Sequence, residues 1–133
     1  MTEILVVDDS EFDSAFVKQI LRAICRIRDW NAVYVSSGKA ALDRLQEREF
    51  DLILTDLKMP DMSGLQLLRQ VQLLDIDIPV VIMTSQGSEE LVLECIRAGA
   101  ANYVIKKNLE RELPKIVEKM SWAENVNGKS RLY

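Results

Sequence analysis

The sequence contains no histidine. This excludes a histidine-based metal site, a Ser-His nucleophile and a phosphohistidine carried by the chain itself. If a phosphohistidine takes part in the chemistry, a partner must bring it. Cysteine is nearly absent too: Cys25 and Cys95 form no CxxC pair, and both are expected as small core residues on helix faces. No apolar run approaches the ~20 residues needed to span a bilayer, so no membrane role is expected. Positive charge is in deficit, 17 Lys and Arg against 21 Asp and Glu, for a net charge of −4. With no basic stripe, direct nucleic-acid binding is not expected. Met1-Thr2-Glu3-Ile4 enters an apolar run at once, without a basic leader, and a cytoplasmic location is expected.

What is present is a regular alternation. The 133 residues, 48% hydrophobic and 29% charged, suit one domain with a real core. Five short apolar runs read as strands: Glu3–Val7, Ala32–Val35, Asp51–Thr55, Val80–Thr84 and Asn102–Ile105. Glu3–Val7 is too rich in Val, Ile and Leu on both faces for an edge strand and reads as a central parallel strand, covered on both sides. Between the five runs lie segments with helical periodicity. Phe12–Arg28 carries Phe16, Val17, Ile20, Leu21 and Ile24 on one face. Ser37 caps Lys39–Arg48, with Ala41, Leu42 and Leu45 inward, and Ser63 caps Leu65–Leu74 after a loop holding Pro60 and Gly64. Ser88 opens a fourth helix with Glu89 and Glu90 in its first turn, and Gly99 closes it. For the last helix, Pro114 is expected at a first helical position rather than an interior one. The spacing therefore predicts a short turn at Asn108–Glu112 and a helix from Pro114 to Ala123. Residues 1–123 are expected as the domain, and 124–133 as a tail or the start of a linker.

Four of the five runs end in chemistry. Ile4–Val7 leads into Asp8-Asp9, Leu52–Thr55 into Asp56, Val80–Met83 into Thr84 and Tyr103–Ile105 into Lys106. In a parallel sheet those ends share one edge, where open α/β folds bind their ligands. Three carboxylates, a hydroxyl and an ammonium would meet there, a set able to hold a hard dication and manage a phosphoryl group. The loop after the first strand, Asp8-Asp9-Ser10-Glu11, has no glycine and two adjacent carboxylates. It is no phosphate cradle unless a cation comes first. Each residue alone has an ordinary explanation: a helix cap, a turn residue, a strand end, a solvated lysine. The joint occurrence is what argues for a site. An aspartyl phosphohydrolase would need a D-x-D pattern at the first strand, where the aspartates are adjacent instead.

The chain resembles the receiver domain of two-component response regulators, with likeness to the single-domain chemotaxis regulators. The matching pieces are Val6-Val7-Asp8-Asp9-Ser10, the run Leu54-Thr55-Asp56-Leu57-Lys58-Met59-Pro60-Asp61-Met62-Ser63-Gly64, then Ile82-Met83-Thr84-Ser85, and Gly99 through Lys106. The resemblance implies a (βα)5 flavodoxin-like fold, a five-stranded parallel sheet in order 2-1-3-4-5 with helices on both faces. It implies that Asp56 accepts a phosphoryl group from the phosphohistidine of a sensor histidine kinase or phosphotransfer protein. Mg²⁺ would be bound by Asp9, Asp56 and the Lys58 carbonyl, with Asp8 acting through a bound water. Lys106 would contact Asp56 at rest and the phosphoryl group afterwards, Thr84 would hydrogen-bond the phosphoryl group, and Tyr103 would turn as Thr84 moves. Such a protein is a signalling phosphoacceptor that catalyses only its own phosphorylation and dephosphorylation, read by a downstream protein that the sequence does not name. Lys58 and Gln86 flank the site where the family tunes phosphoryl lifetime. The output surface would include Glu90, Glu94, Arg97, Tyr103, Lys107 and part of 114–123. The alternative is a non-phosphorylated interaction module on the same fold.

One departure stands out. Lys106 is followed by Lys107 where the family usually has proline, joined by a cis bond. A cis bond without proline costs ~2.5–4 kcal/mol, so either a trans bond or a strained loop is expected. Phe12 and Phe16 extend the apolar stripe of the first helix toward the carboxyl edge, and a docking surface is expected there.

Overall fold

A computed structural model describes residues 1–126; the side chains of Phe12 and of residues 121–126, and residues 127–133 altogether, lie outside what it describes. The elements are β1 (Thr2–Val7), α1 (Glu11–Ile27), β2 (Trp30–Val35), α2 (Gly38–Glu47), β3 (Leu52–Asp56), α3 (Gly64–Leu73), β4 (Val80–Thr84), α4 (Glu89–Ala98), β5 (Asn102–Ile105), a 3₁₀ turn (Lys106–Asn108) and α5 (Leu109–Val126). All strand pairs are parallel, in the order β2-β1-β3-β4-β5. The (βα)5 architecture expected from the alternation is the one observed.

Strand periodicity of two sorts the core into two layers. Leu5, Val7, Ile53 and Ile82 point to one face, where Ala41, Leu67, Val71 and Cys95 from α2, α3 and α4 cover them. Ile4, Val6, Leu54, Val81 and Met83 point to the other, under Val17, Leu21 and Ile24 of α1 and Leu109 and Leu113 of α5. Both faces of β3 and β4 are buried throughout, which is why each is a continuous rather than an alternating apolar run up to its polar carboxyl end.

Four of the five α-helices start at serines. Ser10, Ser37, Ser63 and Ser88 each accept a hydrogen bond on Oγ from the backbone N–H three residues on. Each such cap contributes about 1 kcal/mol. Ser63 forms a full capping box, Gln66 reaching back to the Ser63 N–H at 2.8 Å. Gly99 ends α4 at φ 101°, a left-handed conformation suited to glycine.

The last helix corrects the sequence expectation. α5 runs unbroken from Leu109 to Val126 with Pro114 inside it, and residues 124–126 belong to the helix rather than to a tail. Proline forfeits one hydrogen bond, to the carbonyl of Glu110. That residue is exposed in the first turn, so water can take the orphaned oxygen. Leu109 and Leu113 before the proline are fully buried, and Ile116 and Val117 beyond it nearly so. This continuous stripe holds both halves on the sheet and outweighs the local cost. No cis peptide bond occurs among the described residues, so Lys106–Lys107 is trans and leads through the 3₁₀ turn directly into α5. Cys95 is core as expected, whereas Cys25 is only partly buried.

Candidate functional site

The strand order reverses between β1 and β3, so the two chain ends leaving these strands diverge and open a crevice at the carboxyl edge. Register fixes what fills it. Val7 lies beside Thr55, and Asp56 beside Met83, with Thr84 beside Ile105. The residues that follow each pairing are therefore brought level: Asp8, Asp56, Thr84 and Lys106.

Asp8 turns the chain out of the sheet. Its N–H donates to the Val35 carbonyl at 3.1 Å, and its Oδ1 accepts from the Ser10 N–H at 3.0 Å. Asp8 is buried and Asp9 is more open to solvent. Asp56 closes the wholly buried β3 at 8% exposure. The next loop folds back on it: the Gly64 N–H donates to the Leu57 carbonyl at 2.8 Å. A Cβ on Gly64 would lie 2.5 Å from the Asp56 carbonyl oxygen, so only glycine permits this approach. Lys58, in that loop, has an exposed side chain.

Lys106 crosses from the far side of the crevice. Its Nζ donates to Asp56 Oδ2 at 3.1 Å, to Asp8 Oδ2 at 3.3 Å and to Asp13 Oδ2 at 3.0 Å. Burial alone would draw the Lys106 pKa down, but its hydrogen bond to Asp13 and the charges of Asp56 and Asp8 outweigh it, and the net direction is up. Asp56 moves up as well. Its burial, with the nearby Asp8 and Asp9 charges, outweighs the opposing Lys106 ammonium. The pocket thus holds more negative charge than one ammonium offsets.

That excess bears on Mg²⁺. Asp8, Asp9 and Asp56 each place a carboxylate oxygen within 4.8 Å of the other two. Among the described residues this is the one such cluster of three, and it offers only hard oxygen donors. The donor set fits Mg²⁺, which prefers oxygen and keeps several waters.

The hydroxyl of Thr84, itself 7% exposed, donates to the Gln86 carbonyl at 2.9 Å and makes no bond to Asp56 in this state. Tyr103, half-buried, shares a narrow recess with Thr84, Ile82, Gly87 and Leu91. The expected set therefore divides: Asp8, Asp9, Asp56 and Lys106 are gathered in one cluster, while Thr84 and Tyr103 stand beside it. Phe16 on α1 is 44% exposed.

Asp13 is the participant that sequence reasoning missed. It lies in the first turn of α1, where an acidic residue is already explained by the helix dipole. The available signal was its position one turn beyond Asp9, above the same sheet edge.

Comparison with known proteins agrees with this geometry. The family model "Response regulator receiver domain" matches residues 4–118. The transcriptional regulatory protein ZraR of Escherichia coli is 38% identical over 117 residues, covering 85% of this chain and 26% of ZraR. The two-component response regulator ORR1 of Oryza sativa is 29% identical over 124 residues, covering 87% of this chain and 54% of ORR1. The chain thus spans between a quarter and about half the length of these curated relatives. Among solved structures, the NarL signal receiver domain of Mycobacterium tuberculosis superposes with a TM-score of 0.78 at 25% identity, covering 90% of this chain and 94% of that one. The N-terminal domain of a response regulator/sensory box/GGDEF protein from Carboxydothermus hydrogenoformans gives 0.77 at 27%, covering 95% and 98%. Receiver domains of two-component systems take a phosphoryl group on an aspartate and bind Mg²⁺ at an acidic pocket. From strand order to acidic crevice to family match, the chain belongs to the response regulator receiver domains.

Proposed function

We propose that Asp56 is the phosphoacceptor of this receiver and that its modification alters a surface read by another protein. The observation that carries this reading is the Lys106 ammonium bridging Asp56 and Asp8 beside Asp9. A carboxylate attacks an anionic phosphoryl group poorly unless charge is neutralised. Here one fixed cation is already at the acceptor, with a carboxylate cluster suited to a second.

The donor is a phosphohistidine on a histidine kinase or phosphotransfer protein, since this chain has no histidine. An Asp56 oxygen forms the new bond to phosphorus as the P–N bond breaks, and the imidazole leaves and takes a proton. Asp8, Asp9 and Asp56, with the Lys58 carbonyl, would hold Mg²⁺, which when bound offsets charge on the transferring group. Lys106 and the Thr84 hydroxyl stabilise the phosphoryl oxygens once it is in place. The same pocket then serves hydrolysis, in which water attacks phosphorus and the acyl–phosphate bond breaks. The expected domain, residues 1–123, carries these functions, and its last helix continues to Val126. An ATP-charged kinase as donor places the chain in the cytoplasm.

Incubation with acetyl phosphate and Mg²⁺, followed by intact-mass measurement, tests the reading. One added phosphoryl group is expected, and none in Asp56→Asn. A wild-type chain that stays unmodified would instead favour a non-phosphorylated interaction module.

A further inference from the structure

Lys106 has three N–H donors, and three carboxylates take them: Asp8, Asp13 and Asp56. None is left for an incoming phosphoryl oxygen. One contact must yield, and the three differ in what release costs. The Asp8 and Asp56 side chains are 2% and 11% exposed, whereas that of Asp13 is 41% exposed. A carboxylate released into solvent is rehydrated, while a buried one loses its partner with no replacement. Asp13 is also fixed from behind, because its N–H donates to Ser10 Oγ at 3.2 Å in the first turn of α1.

We propose that Asp13 is a positioning residue for phosphoryl transfer: it holds the Lys106 ammonium toward the rim at rest and surrenders it to the phosphoryl group. The proposal rests on the assignment of Asp56 as acceptor and Lys106 as its phosphoryl contact. Two effects of opposite sign follow. By drawing Lys106 toward the rim, and by its own charge, Asp13 favours a cation among Asp8, Asp9 and Asp56. By competing for Lys106, and again by its charge, it disfavours an anionic group on Asp56.

The test uses the full chain with Mg²⁺ alone and with beryllofluoride, a phosphoryl mimic, at saturating Mg²⁺, both followed by NMR. Asp13→Asn should raise the half-saturating Mg²⁺ about three- to tenfold and lower that of beryllofluoride by a similar factor, as expected for removing one partly screened charge contact. Asp13→Glu, which keeps the charge and can reach Nζ, should stay within about twofold of wild type for both. A merely structural role for Asp13 would weaken both ligands together, and that outcome overturns the proposal. So does an Asp13→Asn protein that matches wild type in both titrations while wild type binds both. A wild-type chain that binds neither probe overturns the acceptor assignment and this proposal with it.

Discussion

Thr84 Oγ1 donates to the carbonyl oxygen of Gln86, 2.9 Å away and two residues further along the chain. The hydroxyl is thus committed to the β4–α4 connection. To reach a phosphoryl group on Asp56 it must break this bond, which frees the Gln86 backbone and the segment leading to Ser88, the cap of α4. On the proposed reading, the hydrogen bonds to phosphoryl oxygens that would replace it are charge-assisted and would exist only in the modified state, so they would supply the differential free energy that any population shift requires. With beryllofluoride and Mg²⁺, NMR shifts are expected at Thr84, Gln86, Tyr103, Lys106 and 88–98. In Thr84→Ala the mimic should still bind, but changes should stay within the Asp8, Asp9 and Asp56 pocket. Full spreading of shifts in that variant would remove Thr84 from the switch.

Asp56→Asn should abolish phosphorylation and also stabilise the fold at neutral pH without Mg²⁺. Burial raises the Asp56 pKa above its ordinary 3.8, so the folded state binds a proton more tightly than the unfolded chain. Stability from this group is therefore highest at low pH and falls as pH rises from 3.8 through the raised value. The amide removes that ionisation cost, so its Tm at neutral pH without Mg²⁺ should exceed that of wild type. Added Mg²⁺ should reverse the order, because wild type binds the ion more tightly and is stabilised more by it. Thermal unfolding at several pH values, with and without Mg²⁺, checks both signs. Continued phosphorylation of the variant would move the acceptor, with Asp9 the first suspect.

The strands were legible because β3 and β4, buried on both faces, hold only Val, Ile, Leu and Met until their polar carboxyl ends. Ser37, Ser63 and Ser88, each with a helical pattern after it, made three of the helix starts equally plain, within a residue or two. α5 was misjudged for a reason that lies outside local sequence: the cost of Pro114 is local, whereas the packing of Leu109, Leu113, Ile116 and Val117 that offsets it is tertiary. The acidic cluster could be inferred from strand ends alone. The Asp13–Lys106 contact could not, since it joins residues 93 apart in sequence and depends on where α1 leaves the sheet.

Phe16→Ala should cost less than about 1 kcal/mol, against the ~3–5 kcal/mol of a buried phenylalanine, because the ring is 44% exposed. If α1 docks the kinase, phosphotransfer from that kinase should slow while reaction with acetyl phosphate stays unchanged. Equal slowing with both donors, or a large loss of stability, would place the ring in the core machinery instead. The matching expectation for Phe12 concerns a side chain outside the described residues.

Lys106→Met should destabilise by about 3 kcal/mol, because it leaves the buried Asp8 and Asp56 without their cation. The deficit should shrink with added Mg²⁺, and shrink again as pH falls and the carboxylates protonate. The lysine itself adds no pH dependence near neutrality. Its pKa is raised above 10.5, so its contribution is fully present below that value and is lost only as pH rises beyond it. Urea unfolding at pH 5 and pH 8, each with and without Mg²⁺, separates these effects. A deficit insensitive to Mg²⁺ would indicate lost packing of the lysine stem rather than unpaired charge.

Two glycines sit at the starts of helices, and their alanine variants should differ sharply. A Cβ on Gly64 would come within 2.5 Å of the Asp56 carbonyl oxygen and 3.2 Å of the Leu57 Cα. Both are backbone atoms next to the acceptor, and neither can swing aside. A Cβ on Gly38 would meet Met62 Sδ at 2.6 Å, but that is the flexible end of a side chain with other rotamers open to it. Alanine improves helix propensity at both positions by up to about 1 kcal/mol, so propensity cannot explain a difference between them. Gly64→Ala should lose about 1–3 kcal/mol through overpacking and slow phosphorylation by acetyl phosphate, because relief requires moving the strand end that carries Asp56. Gly38→Ala should be close to neutral in stability and phosphorylate at the wild-type rate. Equal behaviour of the two variants would mean that the loop after β3 yields freely and does not set the position of the acceptor.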